Sequence, residues 1–251
     1  MNNVADIILT GETTGRYLGE SVSSADFNKD GFSDVLVGEP GYNSNTGRAH
    51  IFFGGAIMNN IPDVTMTGES NNSYFGMVSS SADDVNGDSY PDVIVSAMNY
   101  GGETGRAYIY YGGSSMNNAV DLTLNGENGH FGSWTAAGDM NGDGYSDVII
   151  GAYRYGSDDR GKVYLYHGGN PMNNSPDLIF LGKESGSLLG NTLAGVGDLN
   201  KDGYSDIILP EATKGRAYVH FGGALMDTVA DIINYQDTPG RIMLLFRQEV
   251  I

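Results

Sequence analysis

Four nine-residue segments place side-chain oxygens at positions 1, 3, 5 and 9, the atom type that hard cations prefer as ligands. The first is Asp26-Phe-Asn-Lys-Asp-Gly-Phe-Ser-Asp34, and similar segments begin at Asp84, Asp139 and Asp198. Together they hold twelve of the 31 acidic residues. Because alternating Asp and Asn side chains of a tight loop can turn inward together, the spacing predicts cation binding rather than a merely acidic surface.

The absence of His and Cys from the four segments favours Ca²⁺ over a transition metal, and Mg²⁺ is less suited because it retains water and demands stricter geometry. The sequence therefore predicts about four Ca²⁺ ions, one per segment, with the carbonyl of position 7 as a fifth ligand. The candidate ligands are Asp26, Asn28, Asp30, Phe32 and Asp34; Asp84, Asn86, Asp88, Tyr90 and Asp92; Asp139, Asn141, Asp143, Tyr145 and Asp147; and Asp198, Asn200, Asp202, Tyr204 and Asp206.

Two alternatives compete with this interpretation. An EF-hand loop needs a bidentate Glu at position 12, but the residues there are Val37, Val95, Ile150 and Leu209. A metal-free set of Asx turns could use Asp and Asn to close hairpins, although three carboxylates in each loop would then repel one another. Position 6 is Gly in three segments and Ser89 in the second, where a positive φ would cost about 1 kcal/mol.

A second motif, Met-Asn-Asn, divides the chain into repeats. It occurs at Met1, Met58, Met116 and Met172, and a degenerate copy begins at Met226, with spacings of 57, 58, 56 and 54 residues. Repeats of this length indicate stacked units that share one core. We expect a single domain over residues 1–251, with repeats at about 1–57, 58–115, 116–171 and 172–225 and a degenerate closing segment at 226–251.

Each repeat carries four strand-like runs, which predicts an all-β fold, a β-propeller of four complete four-stranded blades. The first run follows Met-Asn-Asn, and the second consists of small residues. After the acidic loop come a third, β-branched run such as Val93-Ile-Val95 and a fourth run such as Gly105-Arg-Ala-Tyr-Ile-Tyr-Tyr111. The β-branched runs lack polar alternation, so both of their faces should be buried. The partial strands at the two ends, about Val4 to Leu9 and Pro239 to Phe246, are expected to pair with each other.

Three motifs follow one another along the chain: Phe75-Gly76 or Phe131-Gly132, then the acidic loop, and then Gly151-Ala152. In these motifs the chain resembles the FG-GAP repeat family, whereas Leu18-Gly19 and Leu189-Gly190 depart from it. The family includes the β-propeller head of integrin α subunits and many bacterial surface proteins. The resemblance implies Ca²⁺ in a hairpin on one face of the propeller, with a structural rather than a catalytic role.

The overall charge and composition exclude several functions. A formal net charge of -18, from 13 basic and 31 acidic residues, disfavours nucleic acid. No run approaches the roughly 18 apolar residues of a membrane span, and with no Cys a thiol nucleophile is excluded.

The remaining chemical groups favour structural roles. His50, His167 and His220 occupy positions where other repeats carry Tyr or Phe, so they are interpreted as substitutions in aromatic positions rather than bases. Trp134 is expected to pack in the core. The repeated Arg48, Arg106, Lys162 and Arg216 are expected to form pairs between blades.

We therefore expect an extracellular or cell-surface module for protein binding or cell adhesion that is not an enzyme, with a protein partner and a glycan as the alternative. No export signal is recognisable in the sequence. Neither nucleic-acid binding nor membrane insertion is expected. An oligomer is expected if the ring is incomplete. The alternative function is a carbohydrate-binding or polysaccharide-cleaving propeller with a site in its central channel.

Overall fold

Antiparallel β-strands of two to seven residues make up nearly all the regular structure in the computed structural model, which describes residues 5–12, 14–238 and 241–246. The strands are β1 (Val22–Ala25), β2 (Asp34–Glu39), β3 (Arg48–Phe52), β4 (Val64–Thr67), β5 (Ser79–Asp83), β6 (Asp92–Ala97), β7 (Arg106–Tyr110), β8 (Leu122–Asn125), β9 (Thr135–Gly138), β10 (Asp147–Ala152), β11 (Lys162–Tyr166), β12 (Leu178–Leu181), β13 (Ala194–Gly195), β14 (Ile207–Glu211), β15 (Arg216–His220), β16 (Ile232–Thr238) and β17 (Arg241–Phe246). The helical turns are Tyr42–Asn45, Tyr100–Glu103 and Ala212–Lys214. None of the described helices is long and apolar enough to cross a membrane.

The strands form four antiparallel sheets whose strand order follows the chain: β1 to β4, β5 to β8, β9 to β12, and β13 to β17. They are named blades 1 to 4. The expected all-β architecture of four blades is therefore confirmed, and each blade is a meander that begins with its small-residue strand.

Both faces of the β-branched strand are buried, as the sequence predicts. In blade 2, Ile94 pairs with Ile109, and both pack against blade 3. The alternate residues Val95 and Tyr108 pair on the opposite face and pack against blade 1. All four side chains are at most 1% exposed. The period of two along a strand thus gives each blade one face for the preceding blade and one for the following blade.

The blades form an arc in chain order, since β1 contacts β5, β5 contacts β9, and β9 contacts β13. No comparable contact joins β1 to β13 within the described ranges. On the face of blade 4 that would meet a following blade, Ile208 and Val219 are only half-buried, whereas the equivalent Ile94 and Ile109 of blade 2 are fully buried.

The expected pairing of the two chain ends is wrong where the structure describes them. β17 pairs with β16, with Ile232 opposite Phe246, and adds a fifth strand to blade 4. Residues 5–11 form no strand. A short hairpin needs less loop-closure entropy than pairing across the whole chain, which favours the local partner. Val4 and residues 239–240 lie outside the described residues.

Trp134 does not pack in the core. It lies just before β9 and is 42% exposed, while the next residue, Thr135, is buried opposite Ile150. Thr135 Oγ1 also lies 2.7 Å from Ser80 Oγ in blade 2. Because neighbouring side chains point to opposite faces, the inward position of Thr135 turns Trp134 outward.

Candidate metal-binding loops

All four acidic loops lie along one edge of the arc. They join β1 to β2, β5 to β6, β9 to β10, and β13 to β14. Because the strands are antiparallel, the connections from the second to the third strand of each blade lie along the opposite edge, together with the connections between blades. The structure therefore gathers the predicted cation ligands at one edge and the variable loops at the other.

The Asp and Asn side chains at positions 1, 3 and 5 accept hydrogen bonds from the backbone of their own loop. Gly31 N donates to Asp26 Oδ2 at 2.9 Å, and Asp30 N donates to Asn28 Oδ1 at 2.9 Å. Phe32 N donates to Asp30 Oδ1 at 2.9 Å. The other three loops repeat all three bonds. These Asx turns shape each loop from within its own nine residues.

The Asp at position 9 is different because it is fully buried and joins the loop to a distant turn. Asp34 Oδ2 accepts from Phe27 N, and Asp34 Oδ1 accepts from Gly54 N, both at 2.8 Å. The same two bonds recur at Asp92, Asp147 and Asp206. Each of these carboxylates thus holds the hairpin against the Gly-Gly turn after the third strand, a role that the spacing of the motif does not reveal.

Burial also changes the ionisation of this position. Burial raises the pKa of Asp92 to about 7, although the Gly112 and Val85 N–H groups oppose the change. Burial also raises the pKa of Asp34 against the same two kinds of backbone bond. A nearby positive charge would therefore stabilise the ionised form of a carboxyl at this position.

Position 6 has the left-handed backbone that the sequence predicts. Gly31 has a φ of 92°, Gly144 of 89° and Gly203 of 98°, and Ser89 has a φ of 75°. The second loop therefore carries a non-glycine residue in a conformation that L-residues rarely adopt.

The donor set suits a hard cation in its chemistry. Each loop offers three carboxylates, and within the described residues no Lys or Arg forms an ion pair with any of them; His167 Nδ1 lies 3.2 Å from Asp147 Oδ1. Yet no group of three or more His, Cys, Asp or Glu side chains in the described part of the chain is arranged to hold a metal. The carboxylates instead face their own backbone N–H groups, so the ligand set stays a prediction.

A second repeated contact crosses the blade boundaries, as predicted for the basic residues of the third strand. Arg106 Nη1 lies 2.8 Å from Glu69 Oε2, and Lys162 Nζ lies 3.0 Å from Glu127 Oε1. The equivalent pairs are Arg48 with Glu12 at 3.0 Å and Arg216 with Glu184 at 2.9 Å. The three interior Glu residues follow the last strand of the preceding blade, so their pairs link successive blades.

Three tyrosines of the variable loops pack on the same cations. The Arg48 guanidinium lies 4.0 Å from the Tyr42 ring centroid, and the Arg106 guanidinium lies 3.8 Å from that of Tyr100. Lys162 Nζ lies 4.3 Å from the Tyr155 ring. These rings therefore support the blade boundary through cation–π contacts.

Two of the three predicted histidines, His50 and His220, lie in third strands and are buried, whereas His167 follows β11 and lies beside Asp147. His50 occupies the β3 position equivalent to Tyr108 of β7, and His220 packs edge-on against Phe180 with 4.7 Å between ring centroids. Burial lowers the pKa of His220 to about 4. A buried neutral imidazole against a phenyl ring has the environment of a core side chain rather than a general base.

The edge opposite the acidic loops carries a polar groove between blades 2 and 3. Its volume is about 390 Å³, and Glu103, Asn128, Arg154 and Asp159 line it. His130 lies beside Glu103 and stacks on Tyr153 with an interplanar angle of 19°. The groove thus presents charges of both signs on variable loops, where recognition commonly occurs.

A family model described as the FG-GAP repeat matches residues 18–52, 75–110 and 131–166. The chain is 32% identical to integrin alpha-5 of Xenopus laevis over 236 residues, or 83% of the chain and 22% of that protein. It is 34% identical to integrin alpha-8 of Homo sapiens over 81% of the chain and 20% of that protein. The chain thus spans about a fifth of the length of these relatives. A solved structure, rhamnogalacturonan lyase YesW, superposes with a TM-score of 0.49 and 13% identity over 92% of the chain and 47% of the lyase.

Proposed function

The chain is an FG-GAP repeat protein similar to integrin alpha chains, and from this premise we propose that it is a protein-binding module of the adhesion type whose acidic loops bind Ca²⁺. One observation carries the proposal: the repeated acidic loops lie along one edge of the arc, and the variable loops along the other. The acidic loops thus keep one conformation from repeat to repeat at one edge, while the loops at the other edge differ in sequence between repeats. That division suits recognition of an asymmetric surface better than one chemical reaction.

The polar groove between blades 2 and 3 is the proposed contact surface. Its Glu103, Asp159 and Arg154 offer acceptors and a cation to a protein partner, and the Tyr153 ring stacked on His130 lies beside it. Mixed polar and aromatic character is typical of protein interfaces. A glycan is the alternative occupant.

The proposed role of Ca²⁺ is structural. Three carboxylates within nine residues repel one another, and an ion with oxygen ligands would offset that repulsion in each loop. The chain would supply the side chains at positions 1, 3, 5 and 9 and the carbonyl at position 7. Extracellular modules bind Ca²⁺ at about 10⁻⁴ to 10⁻³ M, so the proposal includes an extracellular or cell-surface location.

Calorimetric titration tests the metal. We expect about four Ca²⁺ per chain, and a melting temperature that falls by several degrees with chelator and recovers with added Ca²⁺. A matched variant replaces the four position-5 residues with Asn, namely Asp30, Asp88, Asp143 and Asp202; its melting temperature should no longer respond to Ca²⁺. A melting temperature of the unmodified chain that changes neither with chelator nor with added Ca²⁺ would contradict the proposed ion.

Solid-phase binding to a panel of extracellular-matrix proteins tests recognition. Binding should be saturable, and Arg154→Glu should weaken it at least tenfold because the substitution replaces the cation of the groove with a third carboxylate. Lys201→Glu makes the same charge reversal on the acidic-loop edge and should leave binding unchanged. Equal loss in both variants, or no saturable partner, would count against this surface.

The chain is also proposed to have no catalytic activity, because His220 packs against Phe180 as a core side chain and the repeated carboxylates of the acidic loops accept backbone hydrogen bonds. Incubation with a panel of acidic polysaccharides checks this directly. Cleavage by the unmodified chain, and its loss on substitution of carboxylates near the inner strands, would instead support the polysaccharide-cleaving alternative.

A further inference from the structure

Four asparagines of the chain are followed directly by a glycine. They are Asn86, Asn125, Asn128 and Asn141. The amide of asparagine is chemically labile, and in this dipeptide the backbone nitrogen of the glycine can attack the side-chain carbonyl carbon of the asparagine. Glycine permits a close approach because it has no side chain to shield its nitrogen. The reaction therefore depends on which of the four dipeptides leaves both reacting groups free.

The two dipeptides in the acidic loops are held at both reacting groups. Asn86 Oδ1 accepts from Asp88 N at 2.9 Å, and Asn86 Nδ2 donates to Asp88 Oδ2 at 3.0 Å. The attacking nitrogen, Gly87 N, donates to Asp84 Oδ1 at 2.7 Å. The third acidic loop repeats all three bonds at its own dipeptide. Deamidation at either site would first have to break three hydrogen bonds.

The dipeptide at the end of β8 is held by other partners. Asn125 Oδ1 accepts from Arg106 Nε at 2.8 Å, and Gly126 N donates to Gly105 O at 3.1 Å. In addition, β8 pairs with β7, with Asn125 opposite Arg106. Both reacting groups are therefore occupied here too, and the strand pairing restricts the backbone rotation that ring closure requires.

Asn128 is the exception among the four. It is exposed and lies in the connection between β8 and β9. Within the part of the chain that the structure describes, neither its side-chain amide nor Gly129 N makes a hydrogen bond. No hydrogen bond therefore has to break before the two reacting groups can meet.

We propose that Asn128 is a modification site at which the side-chain amide is lost by spontaneous deamidation. Gly129 N attacks Asn128 Cγ to close a five-membered succinimide ring, and the bond from Cγ to Nδ2 breaks. Ammonia leaves and takes up the proton of the glycine nitrogen. Water then opens the ring: attack at Cγ gives aspartate, and attack at the backbone carbonyl carbon gives isoaspartate, in which the chain runs through the former side chain. One water is consumed for each ammonia released, and nothing is oxidised or reduced.

The modification changes the polar groove between blades 2 and 3, because Asn128 lines it. Both products add a carboxylate to a lining that already holds Glu103, Asp159 and Arg154. An uncharged hydrogen-bonding side chain is thereby replaced by an acidic one, and the charge of the groove becomes more negative.

Isoaspartate also lengthens the backbone by one atom just before Gly129, where there is little room. A side-chain carbon on Gly129 would lie 2.3 Å from Tyr155 N, and Arg154 N donates to Gly129 O at 3.1 Å. The extra atom therefore displaces Gly129 relative to the Arg154 and Tyr155 backbone and weakens the hydrogen bond from Arg154 N. Isoaspartate thus affects the cation of the groove as well as its charge.

Peptide mapping by mass spectrometry, with the full chain sampled during incubation at mildly alkaline pH, tests the site. In the folded chain, deamidation at Asn128 should be at least tenfold faster than at each of the other three asparagines, which must break hydrogen bonds first. In urea, all four rates should agree within threefold. Equal rates in the folded chain, a faster reaction at another of the four, or a tenfold preference that persists in urea would each overturn the proposal.

A pair of variants tests the ring closure. Asn128→Gln lengthens the side chain by one carbon and should remove the fast reaction, because the six-membered ring closes far more slowly. Asn125→Gln makes the same change in a dipeptide that is held at both groups, and the fast reaction should continue at the unmodified rate. Thermal melts verify that both variants are folded. A fast reaction that persists in Asn128→Gln, or that is lost in Asn125→Gln, would contradict the assignment.

Hydrogen exchange of the Arg154 amide, followed by NMR, tests the effect on the groove. The isoaspartate form, separated by chromatography, should exchange this proton at least fivefold faster than the unmodified chain. Asn128→Asp adds the same charge without the extra backbone atom and should stay within twofold of it. Unchanged exchange in the isoaspartate form would refute the effect on Arg154. These measurements require neither a binding partner nor Ca²⁺, so their outcome is independent of the proposed function.

Discussion

Arg106 Nη1 lies 2.8 Å from Glu69 Oε2 across the boundary between blades 1 and 2, and the same guanidinium covers the face of Tyr100 at 3.8 Å. The side chain therefore combines an ion pair with a cation–π contact at one place. Glu69 is about half exposed, so the ion pair alone stabilises the fold little. Packing of the guanidinium and its aliphatic stem on the ring adds to it.

Arg106→Ala should lower the free energy of unfolding by about 1 kcal/mol, because it removes both contacts and the hydrogen bond that Arg106 Nε donates to Asn125 Oδ1. Glu69→Gln removes only the ion pair and should cost less than about 0.5 kcal/mol. Urea denaturation measures both values. Arg160→Ala, which breaks an exposed pair with Asp158 inside one loop, is the control and should cost no more than Glu69→Gln. If Arg160→Ala lowered the free energy of unfolding by more than Glu69→Gln, the contacts at the blade boundary would not contribute more than an exposed ion pair within one loop.

Asp206→Asn tests the buried position 9. Its two oxygens accept from Leu199 N at 2.7 Å and Gly222 N at 2.8 Å. In the Asn variant, an amide NH₂ group would replace one of these oxygens, so that two donors would face each other. We expect a loss of about 2 kcal/mol even in chelator. Asp202→Asn keeps its backbone-accepting oxygen and should be nearly neutral in chelator, yet weaken Ca²⁺ binding. Denaturation with and without Ca²⁺ separates the two effects, and equal losses in chelator would contradict the distinction.

Ser89→Gly should stabilise the second loop. Ser89 has a φ of 75°, which glycine adopts without strain, so the gain should be about 1 kcal/mol. The reverse change, Gly203→Ser, places a side chain where φ is 98° and where a Cβ would meet no atom within 4 Å. It should therefore cost about the same amount from backbone strain alone. Thermal melts check the pair, and a change of the same sign in both would refute the explanation.

His220 predicts an acid-dependent loss of stability. Burial lowers its pKa to about 4, whereas an unfolded histidine titrates near 6.5. The unfolded chain therefore binds a proton first, so this contribution is fully present above about pH 6.5 and is lost as the pH falls toward 4. The difference amounts to roughly 3 kcal/mol.

His220→Phe should remove this part of the pH dependence, since Phe52 occupies the equivalent position of blade 1. The measurement is the free energy of unfolding from pH 8 to pH 4 for the variant and the unmodified chain. Carboxylates titrate in both proteins, so only the difference between the two curves matters. Parallel curves would show that the pKa of His220 is the same in the folded and the unfolded chain, which contradicts the lowered value.

The repeated features were predictable because each depends on local spacing. Four acidic loops and the β-branched strands behind them determine where the hairpins lie, and the recurrent basic residues identify the boundary pairs. The bonds of Asp34 were not predictable, because one of its donors, Gly54 N, is 20 residues away and any backbone N–H could have served. The outward side chain of Trp134 was not predictable either. It depends on whether Trp134 or the adjacent Thr135 points into the core, and the sequence does not show which of the two does.

The face of blade 1 that carries Leu18 and Glu39 shows another limit of prediction from the sequence. Leu18-Gly19 is visible in the sequence as a departure from Phe-Gly, and Glu39 as a departure from alanine. Their joint effect depends on Leu18 and Glu39 coming together on one face of blade 1, where both line the same cavity. Periodicity describes what repeats share, and this feature arises where they differ.

The arc of blades has a consequence for how the molecule comes apart. Each described boundary joins only neighbours in the chain, so an interior blade is held on two sides while the outer face of blade 4 is half-exposed. Stability is then a sum of nearest-neighbour couplings, as in a one-dimensional array. Fraying should start at blade 4 and progress inward, with amide protons of β6 and β10 exchanging last.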